Sequence, residues 1–319
     1  MAKRTEPTIA QLRAFVAVAD VGQFTDAARL IGVAQPTLSQ ALTSLEENLG
    51  VQLIERRPRG ILLTPAGEHI LPYARRAVAA VEAVNDAAAP DRGWLTGVLR
   101  IGVIPTVAPY LLPSILKVLP KEAPDLIPEF REDQTPRLLN SLKEGRIELA
   151  ILALPTKENG LVELPLYDED FVLVVPSDDK VAGKGNVKLD VLVDRPLLLL
   201  DEGHCLRDQA LDVCAMAGAQ TPEAGTAKAS SLPTIVQFVI GGLGSSLLPD
   251  TAIAVEANRP GLAIARFASP APGRRLGLVF RETTARTEEF EDLAEIIRRG
   301  VQNAELAARP VGGLTASSS

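Results

Sequence analysis

The sequence predicts an α/β protein with a small, mainly α-helical, winged helix-turn-helix at its N-terminus and a larger regulatory domain of two α/β lobes. Residues 8–50 contain three short amphipathic helices, and residues 51–63 contain two short strands around a turn. From residue 98 onward, uniformly apolar strands alternate with helices, which is typical of a parallel sheet covered on both faces. About 200 such residues exceed one comfortable core, so two lobes with a cleft between them are expected.

Composition narrows the class of protein. The 319 residues are 46% hydrophobic and 23% charged, as in a globular protein with real cores. There is no apolar run of the ~18 residues that suggest a membrane span, and the polar N-terminus does not resemble a secretory signal. We therefore expect a cytoplasmic protein without membrane contact. Thiols are normally reduced there, so the two cysteines are redox-active or inert rather than a structural bridge.

Charge is distributed unevenly along the chain. The net charge is −7, yet residues 1–76 carry nine Lys/Arg and seven Asp/Glu, a net of +2 against −9 for the remainder. A mildly basic module attached to an acidic body suits a DNA reader joined to a sensor domain.

The predicted DNA-binding module begins with a capping box formed by Thr8 and Gln11, and Gly22 ends its first helix. A second helix covers 25–30, and a third runs from Gln35 to Leu49. The outer face at the start of the third helix can reach bases and phosphates through Gln35, Pro36, Thr37, Ser39, Gln40 and Thr43. Strands 51–55 and 60–63 form a wing, whose turn offers phosphate or minor-groove contacts through Arg56, Arg57 and Arg59.

Residues 65–88 form a longer helix with a coiled-coil period. Apolar residues recur every 3.5 positions at Ile70, Ala74, Ala77, Val81, Val84 and Ala88. A dimerisation helix is favoured because a helix-turn-helix that reads two half-sites needs a partner, although packing on its own domain remains open. The predicted boundaries are 1–64 for the DNA-binding domain, 65–89 for the linker helix, 90–97 for a hinge, 98–308 for the regulatory domain and 309–319 for a disordered tail.

The regulatory domain is predicted from its alternating pattern. The candidate strands are Val98–Ile104, Leu149–Leu154, Phe171–Val175, Leu197–Leu200, Ser245–Leu248 and Leu276–Phe280. The candidate helices are Pro109–Leu119, Thr135–Glu144, Leu206–Ala217, Leu232–Ile240 and Glu288–Glu305.

The two cysteines, Cys205 and Cys214, flank one of these helices. Nine helical residues rise about 13–14 Å, whereas a disulfide needs Cα atoms within about 7 Å. If the helix forms, the two sulfurs can join only after it melts. Such a bond would act as a switch.

Several motifs identify a family resemblance. The segments Phe24–Ala28, Gln35–Ser39, Leu45–Gly50 and Leu63–Gly67 together resemble the LysR-type transcriptional regulators. The resemblance covers essentially the whole chain. It implies a winged helix-turn-helix followed by a two-lobed, periplasmic-binding-protein-like regulatory domain, usually in a homotetramer that binds double-stranded promoter DNA. One departure is Ala34, where many members have a serine cap. An alanine in place of the serine weakens the helix cap by about 1 kcal/mol.

The run from Gly203 to Ala210 followed by Cys214, with Ile104–Val107 and Gln134–Thr135, resembles the OxyR branch, the peroxide sensors of that family. The resemblance implies that Cys205 is the peroxidatic thiol and Cys214 the resolving one. It surrounds hydrogen peroxide with Thr106, Thr135, His204, Asp208 and Arg274, and Arg275 competes with Arg274 for the last role. No cofactor and no metal are implied. A cellular dithiol would reset the switch, and contact with RNA polymerase is left open.

Each of these residues also has an ordinary structural interpretation. Free cysteines are often buried hydrophobes, both threonines can cap helices, and a first-turn aspartate is common. Cys205 opens a helix whose dipole stabilises a thiolate, and His204 and Arg207 could add positive charge. The favoured hypothesis is a non-enzymatic, peroxide-sensing regulator of antioxidant genes. The alternatives are a metabolite-responsive LysR-type regulator with incidental cysteines, a thiol peroxidase, and an extracytoplasmic solute receptor. Residues 8–64 oppose the last two.

Overall fold

The computed structural model describes residues 6–57, 60–88, 94–193, 195–219, 229–304 and 308–310. Contacts divide the chain into two compact units, one of Met1–Arg92 with Ser141–Arg146 and the other of Gly93–Asn140 with Ile147–Ser319. In the described residues, none of the helices combines the length and apolarity that crossing a bilayer requires.

The first unit is a winged helix-turn-helix followed by a long helix. Its elements are α1 (Ile9–Val21), α2 (Phe24–Leu30), α3 (Gln35–Leu49), β1 (Ile54–Arg57), β2 (Gly60–Leu63) and α4 (Pro65–Ala88). The predicted capping box is confirmed, since Thr8 and Gln11 exchange hydrogen bonds. The α3 helix has no side-chain cap at Ala34, as expected, and begins with a proline in its first turn. Its buried leucines pack with Phe15 and Val18 of α1.

The wing differs from the prediction in its first strand. Residues 51–53 are not part of β1, and the Glu46 carboxylate accepts the backbone N–H groups of Leu53 and Ile54 at 2.8 and 3.2 Å. The chain is thus tied to α3 before it pairs, and Arg56 and Arg57 lie in β1 rather than in the turn. Arg59 lies outside the described residues.

The residues of the predicted dimerisation seam on α4 differ in their burial. Ala74 is buried in the core of the DNA-binding unit and Ile70 packs against that core, because α4 lies along α1. These two positions follow the alternative interpretation, packing on their own domain. Ala77 and Val81 are partly buried, and Val84 is 66% exposed. Ala88 is the last residue of the helix.

The second unit contains the remaining elements, except that residues 141–143 at the end of one helix group with the first unit. Its strands are β3 (Gly97–Val103), β4 (Leu126–Glu132), β5 (Leu149–Leu154), β6 (Leu161–Pro176), β7 (Ser246–Pro249), β8 (Leu262–Arg266), β9 (Gly273–Arg281) and β10 (Arg309–Pro310). Its helices are α5 (Ala108–Glu122), α6 (Thr135–Lys143), α7 (Cys205–Met216), α8 (Leu232–Ile240), α9 (Asp250–Glu256) and α10 (Thr287–Asn303), with a 3-10 turn at Leu189–Leu192.

The expected wholly parallel sheet is wrong, because the sheets are mixed. β3 runs parallel to β4 and β5, but β9 is antiparallel to β5 and β6. Uniform apolarity reports burial of both strand faces, not the direction of pairing, so the sequence pattern could not distinguish the two arrangements. The two-lobed α/β class itself is confirmed.

The sixteen-residue strand β6 serves both lobes. Its first part pairs with β9 in the sheet that contains β3, β4 and β5, and its last part pairs with β7 and β8. The second lobe packs around that last part, and its core includes the apolar face of α7 and residues of α8.

Three further differences concern individual elements. The predicted strand Leu197–Leu200 forms only isolated bridges, from Leu197 to Ser245 and from Leu200 to Ala229. The pattern missed β4, β8 and the first part of β6, which carry exposed or partly exposed residues. Arg309 and Pro310, placed in the disordered tail, pair with β6, where Arg309 forms an ion pair with Asp170. Residues 90–93 of the predicted hinge and residues 311–319 lie outside the described residues.

Candidate redox site and nucleic-acid interface

The redox site is centred on the first residue of α7. His204 is the N-cap residue and Cys205, a partly exposed free thiol, is the first helical residue. The helix N-terminus presents backbone N–H groups and a positive dipole end, which stabilise a negative charge placed against them. Gly203 has φ of +91°, a backbone conformation that favours glycine, and a Cβ atom there would lie 2.4 Å from Gln134 Oε1, so that side chain would have to shift.

The first lobe contributes the ends of two neighbouring strands. β3 and β4 are parallel, so their carboxyl ends meet at one edge of the sheet. Thr106 follows β3, and Gln134 and Thr135 follow β4. The Gln134 amide donates to the Glu202 carbonyl at 3.2 Å, which joins this edge to the segment before α7.

Arg274 supplies the buried positive charge of the site. Its Nη1 donates to Thr106 Oγ1 at 2.9 Å, its Nη2 to the Thr106 carbonyl at 3.1 Å, and its Nε to Glu169 at 2.7 Å. Burial alone would lower the pKa of the Arg274 guanidinium, but the charges of Glu169 and Cys205 raise it above its usual value. Arg275 instead pairs with Asp168 at the surface.

Three buried polar atoms near the start of α7 have no hydrogen-bond partner in the described part of the chain. They are Thr135 Oγ1, His204 Nδ1 and Gln209 Oε1. Buried polar groups are normally satisfied, so each of these atoms is available to a small polar molecule. Sequence reasoning missed Gln209, although its place one turn after Cys205 on the same helix was a usable signal.

The positive charge expected from His204 is not found. Burial lowers the pKa of the His204 imidazole, outweighing Asp201 and Glu132, so it is neutral at pH 7. Arg207 donates to the Leu200 carbonyl. Asp208, predicted in the pocket, is exposed, because its position on α7 turns away from the buried face that carries Leu206 and Ala210. Thr106 does not cap α5, whose N-cap is Val107.

Cys214 lies at the other end of α7 in different surroundings. It is 3% exposed and belongs to the apolar core of the second lobe. Burial raises the pKa of its thiol. It lies nine helical residues beyond Cys205, a rise of about 13–14 Å. The helix holds the two free thiols too far apart to bond.

The DNA-binding unit presents a polar surface at the start of α3. Gln35, Pro36, Thr37, Gln40 and Thr43 are exposed and Ser39 is partly exposed. Arg56 of β1 donates to Ser39 Oγ at 2.7 Å, and its guanidinium lies 4.5 Å from the centre of the Phe24 ring. Arg57 is exposed and loosely paired with Glu55. The wing arginine is thus held against the recognition helix.

Comparisons with known protein families agree with this division. Residues 9–68 match the bacterial regulatory helix-turn-helix protein, lysR family, and residues 92–302 match the LysR substrate binding domain. Over 295 residues the chain is 51% identical to a probable hydrogen peroxide-inducible genes activator of Mycobacterium avium, covering 92% of this chain and 94% of that protein. It is 39% identical over 290 residues to the DNA-binding transcriptional dual regulator OxyR of Escherichia coli K12, covering 91% and 94%.

Solved structures give the same result. An H₂O₂-bound cysteine-to-serine mutant of OxyR from Corynebacterium glutamicum is 48% identical with a TM-score of 0.67, and the match covers 95% of each chain. A full-length cysteine-to-aspartate mutant of OxyR from Pseudomonas aeruginosa is 34% identical with a TM-score of 0.78, covering 92% of this chain and 98% of that one. The chain therefore belongs to the LysR family of bacterial regulators, in its branch of hydrogen peroxide-inducible genes activators, the OxyR proteins.

Proposed function

We propose that this chain is a DNA-binding transcription regulator that senses hydrogen peroxide through a reversible Cys205–Cys214 disulfide and controls antioxidant genes. The observation that carries the proposal is the position of Cys205. Its thiol is partly exposed at a helix N-terminus, beside the buried Arg274 and the unpartnered atoms of Thr135 and His204. The structures of the two OxyR mutants and the names of the relatives support the same chemistry.

The oxidation proceeds in two balanced steps. The Cys205 thiolate attacks one oxygen of hydrogen peroxide, the O–O bond breaks, and the departing hydroxide takes a proton to become water. The charge of Arg274 and the hydrogen bonds of the polar atoms stabilise the departing oxygen. The resulting sulfenic acid is attacked by the Cys214 sulfur, the S–O bond breaks, and a second water leaves as the disulfide forms. Peroxide is reduced by two electrons, and the two thiols supply them.

Disulfide formation requires α7 to unfold between the two thiols. Cys214 leaves the apolar core of the second lobe, together with neighbours such as Val213. The lobe must then repack, which makes α7 the bistable element that a local redox event biases. A cellular dithiol reduces the bond and resets the regulator. The regulator turns over no substrate and acts in the cytoplasm.

The readout is a changed arrangement of DNA-binding units. The exposed Val84 of α4 is available to a second copy of the chain, and a homotetramer built from two dimers would contact several half-sites of promoter DNA. In each unit, Arg56 contributes a phosphate contact beside the polar face of α3.

Peroxide titration followed by non-reducing peptide mapping tests the redox step. We expect one Cys205–Cys214 peptide per chain at stoichiometric peroxide, and its loss on treatment with dithiothreitol. Cys214→Ser is the matched variant, which should trap the Cys205 sulfenic acid without a disulfide. Treated wild-type protein without a Cys205–Cys214 peptide would contradict the mechanism.

Footprinting on the DNA upstream of the gene, with thiols reduced and then oxidised, tests the readout. The protected region should change length or position on oxidation in the wild type and stay fixed in Cys205→Ser. The Arg56→Ala variant should weaken protection in both redox states, since its contact is independent of the switch.

A metabolite-responsive regulator is the second candidate. A cavity of about 520 Å³ is lined by residues of β6 and β9, among them Glu169, Asp170 and Arg275. A metabolite that raises the unfolding temperature of Cys205→Ser, while peroxide leaves DNA binding by the wild type unchanged, would favour this candidate.

A further inference from the structure

Two neighbouring ion pairs cross from β6 to β9 and differ in their surroundings. Glu169 is the register partner of Arg274, and Asp168 is the register partner of Arg275. Because side chains alternate along a strand, the two pairs face opposite sides of the sheet. The side chains of Glu169 and Arg274 are 0% and 1% exposed, whereas those of Asp168 and Arg275 are 32% and 49% exposed. Only the first pair reaches the redox site.

The hydrogen bonds of Arg274 use three of its five N–H donors. The Nε–H is held by Glu169 Oε1, and each terminal nitrogen makes one bond to Thr106. In the described part of the chain, one N–H on each terminal nitrogen is left without a hydrogen bond. A guanidinium N–H that Thr106 and Glu169 do not engage can donate to an anionic sulfur or oxygen brought against it.

Glu169 is itself held in place. Its second oxygen, Oε2, accepts the hydroxyl of Thr251, the second residue of α9, at 2.5 Å. The carboxylate is therefore bonded on both oxygens, and the chain of contacts runs from α9 through β6 to the guanidinium on β9. Rotation of the guanidinium about its own axis would break the bond to Glu169.

We propose that Glu169 is a positioning residue for the peroxide reaction of Cys205. It orients the Arg274 guanidinium, with Thr251 as its support, and its negative charge offsets part of the positive charge that Cys205 experiences. The inference rests on the proposed function of Cys205. The charges of both Glu169 and Cys205 raise the pKa of Arg274 against the effect of burial, which agrees with this arrangement. His204, at the N-cap of α7, is neutral and does not compete.

The test uses the full chain in a Cys214→Ser background, where Cys205 is the only thiol. Glu169→Gln keeps an oxygen for the Arg274 Nε–H but removes the charge, Glu169→Ala removes both, and Asp168→Asn is the matched control at the exposed pair. Two quantities are measured: the pH midpoint of Cys205 alkylation by iodoacetamide, and the rate of peroxide oxidation on the plateau above that midpoint.

The alkylation midpoint reports the effect of the Glu169 charge on Cys205. The plateau rate reports the orientation of the Arg274 guanidinium, because the thiolate fraction no longer changes on the plateau. Glu169→Gln should lower the midpoint by about one pH unit and keep the plateau rate. Glu169→Ala should reduce the plateau rate on the order of tenfold relative to Glu169→Gln. Asp168→Asn should match the parent in both. A midpoint that Glu169→Gln leaves unchanged, or equal plateaus for the two variants, would overturn the proposal.

Thr251→Val guards against loss of folding in Glu169→Ala. It keeps every charge and removes only the hydroxyl that holds the carboxylate, so the plateau rate should fall severalfold while the midpoint stays fixed. A plateau rate equal to the parent would count against the orienting role. Alkylation needs no peroxide, so a parent protein that forms no disulfide would defeat the proposed function and leave the effect of Glu169 on Cys205 measurable.

Discussion

The two ends of α7 place chemically identical thiols in contrasting surroundings. Cys205 is partly exposed at the helix N-terminus, next to a buried arginine and polar atoms that lack partners. Cys214 is buried among Val213, Leu206 and other apolar side chains, with its pKa raised by that burial. The comparison teaches that reactivity is assigned by environment, and that the helix between the thiols controls when they meet.

Removing each thiol in turn should have the largest effect. Cys205→Ser should abolish peroxide-dependent disulfide formation and any change in DNA protection, because the remaining thiol is buried and protonated. Cys214→Ser should still consume one peroxide per chain and stop at the sulfenic acid. Intact-mass spectrometry after peroxide treatment distinguishes these products. Rapid oxidation of Cys214 in the Cys205→Ser protein would contradict the assignment.

At the N-terminal end of α7, the oxidation of Cys205 should depend on Arg274 and not on Arg275. Arg274→Gln leaves the fully buried Glu169 without a counter-charge, which should cost about 3–5 kcal/mol of unfolding free energy. Arg275→Gln removes an exposed pair and should cost less than about 1 kcal/mol. Urea denaturation measures both costs, and peroxide oxidation of Cys205 should slow only in Arg274→Gln. Equal costs would mean that the alternation of the two strands does not separate the pairs.

At the other end of α7, the apolar packing around Cys214 should set the rate at which the disulfide closes. Val213→Ala removes buried methyl groups beside Cys214, which should destabilise α7 by about 1–2 kcal/mol. Conversion of the sulfenic acid to the disulfide should accelerate about tenfold, since the cost of unfolding the helix falls. Met216→Ala is the control on the same helix, because Met216 is 72% exposed. Quenched-flow alkylation follows the closure, and an unchanged rate would indicate that closure does not require unfolding.

The smallest expected effect is that of His204 on the pH dependence of stability. Burial lowers its pKa in the folded protein, so the unfolded chain binds the proton more readily. Its contribution to stability is present above the unfolded pKa of about 6.5 and is lost as pH falls below that value. His204→Asn should flatten this part of the curve of unfolding temperature against pH between 5 and 7. An unaltered slope would show that other groups dominate there.

Local sequence signals gave the N-terminal unit and α7 nearly to the residue. The capping box at Thr8, the turn at Gly22 and the apolar period of α3 depend on residues close together in the sequence, so each can be predicted from the sequence alone. The same reasoning misplaced the first wing strand. The Leu53 N–H donates to the Glu46 side chain seven positions earlier, and an alternating strand pattern carries no signal of that bond. It also extended the predicted seam of α4 to Ala74, which the domain's own core buries.

By itself, the sequence determined the three helices of the N-terminal unit, the helix between two thiols nine residues apart, and the family to which the chain belongs. Only the tertiary structure decided that β9 and β6 run antiparallel, and therefore that Arg274 faces inward while Arg275 faces solvent. Glu169 and Thr251 carried no local signal, since they are 105 and 23 residues from Arg274 along the chain. Burial and charge pairing act through space, and neither is encoded by the spacing of residues along a strand.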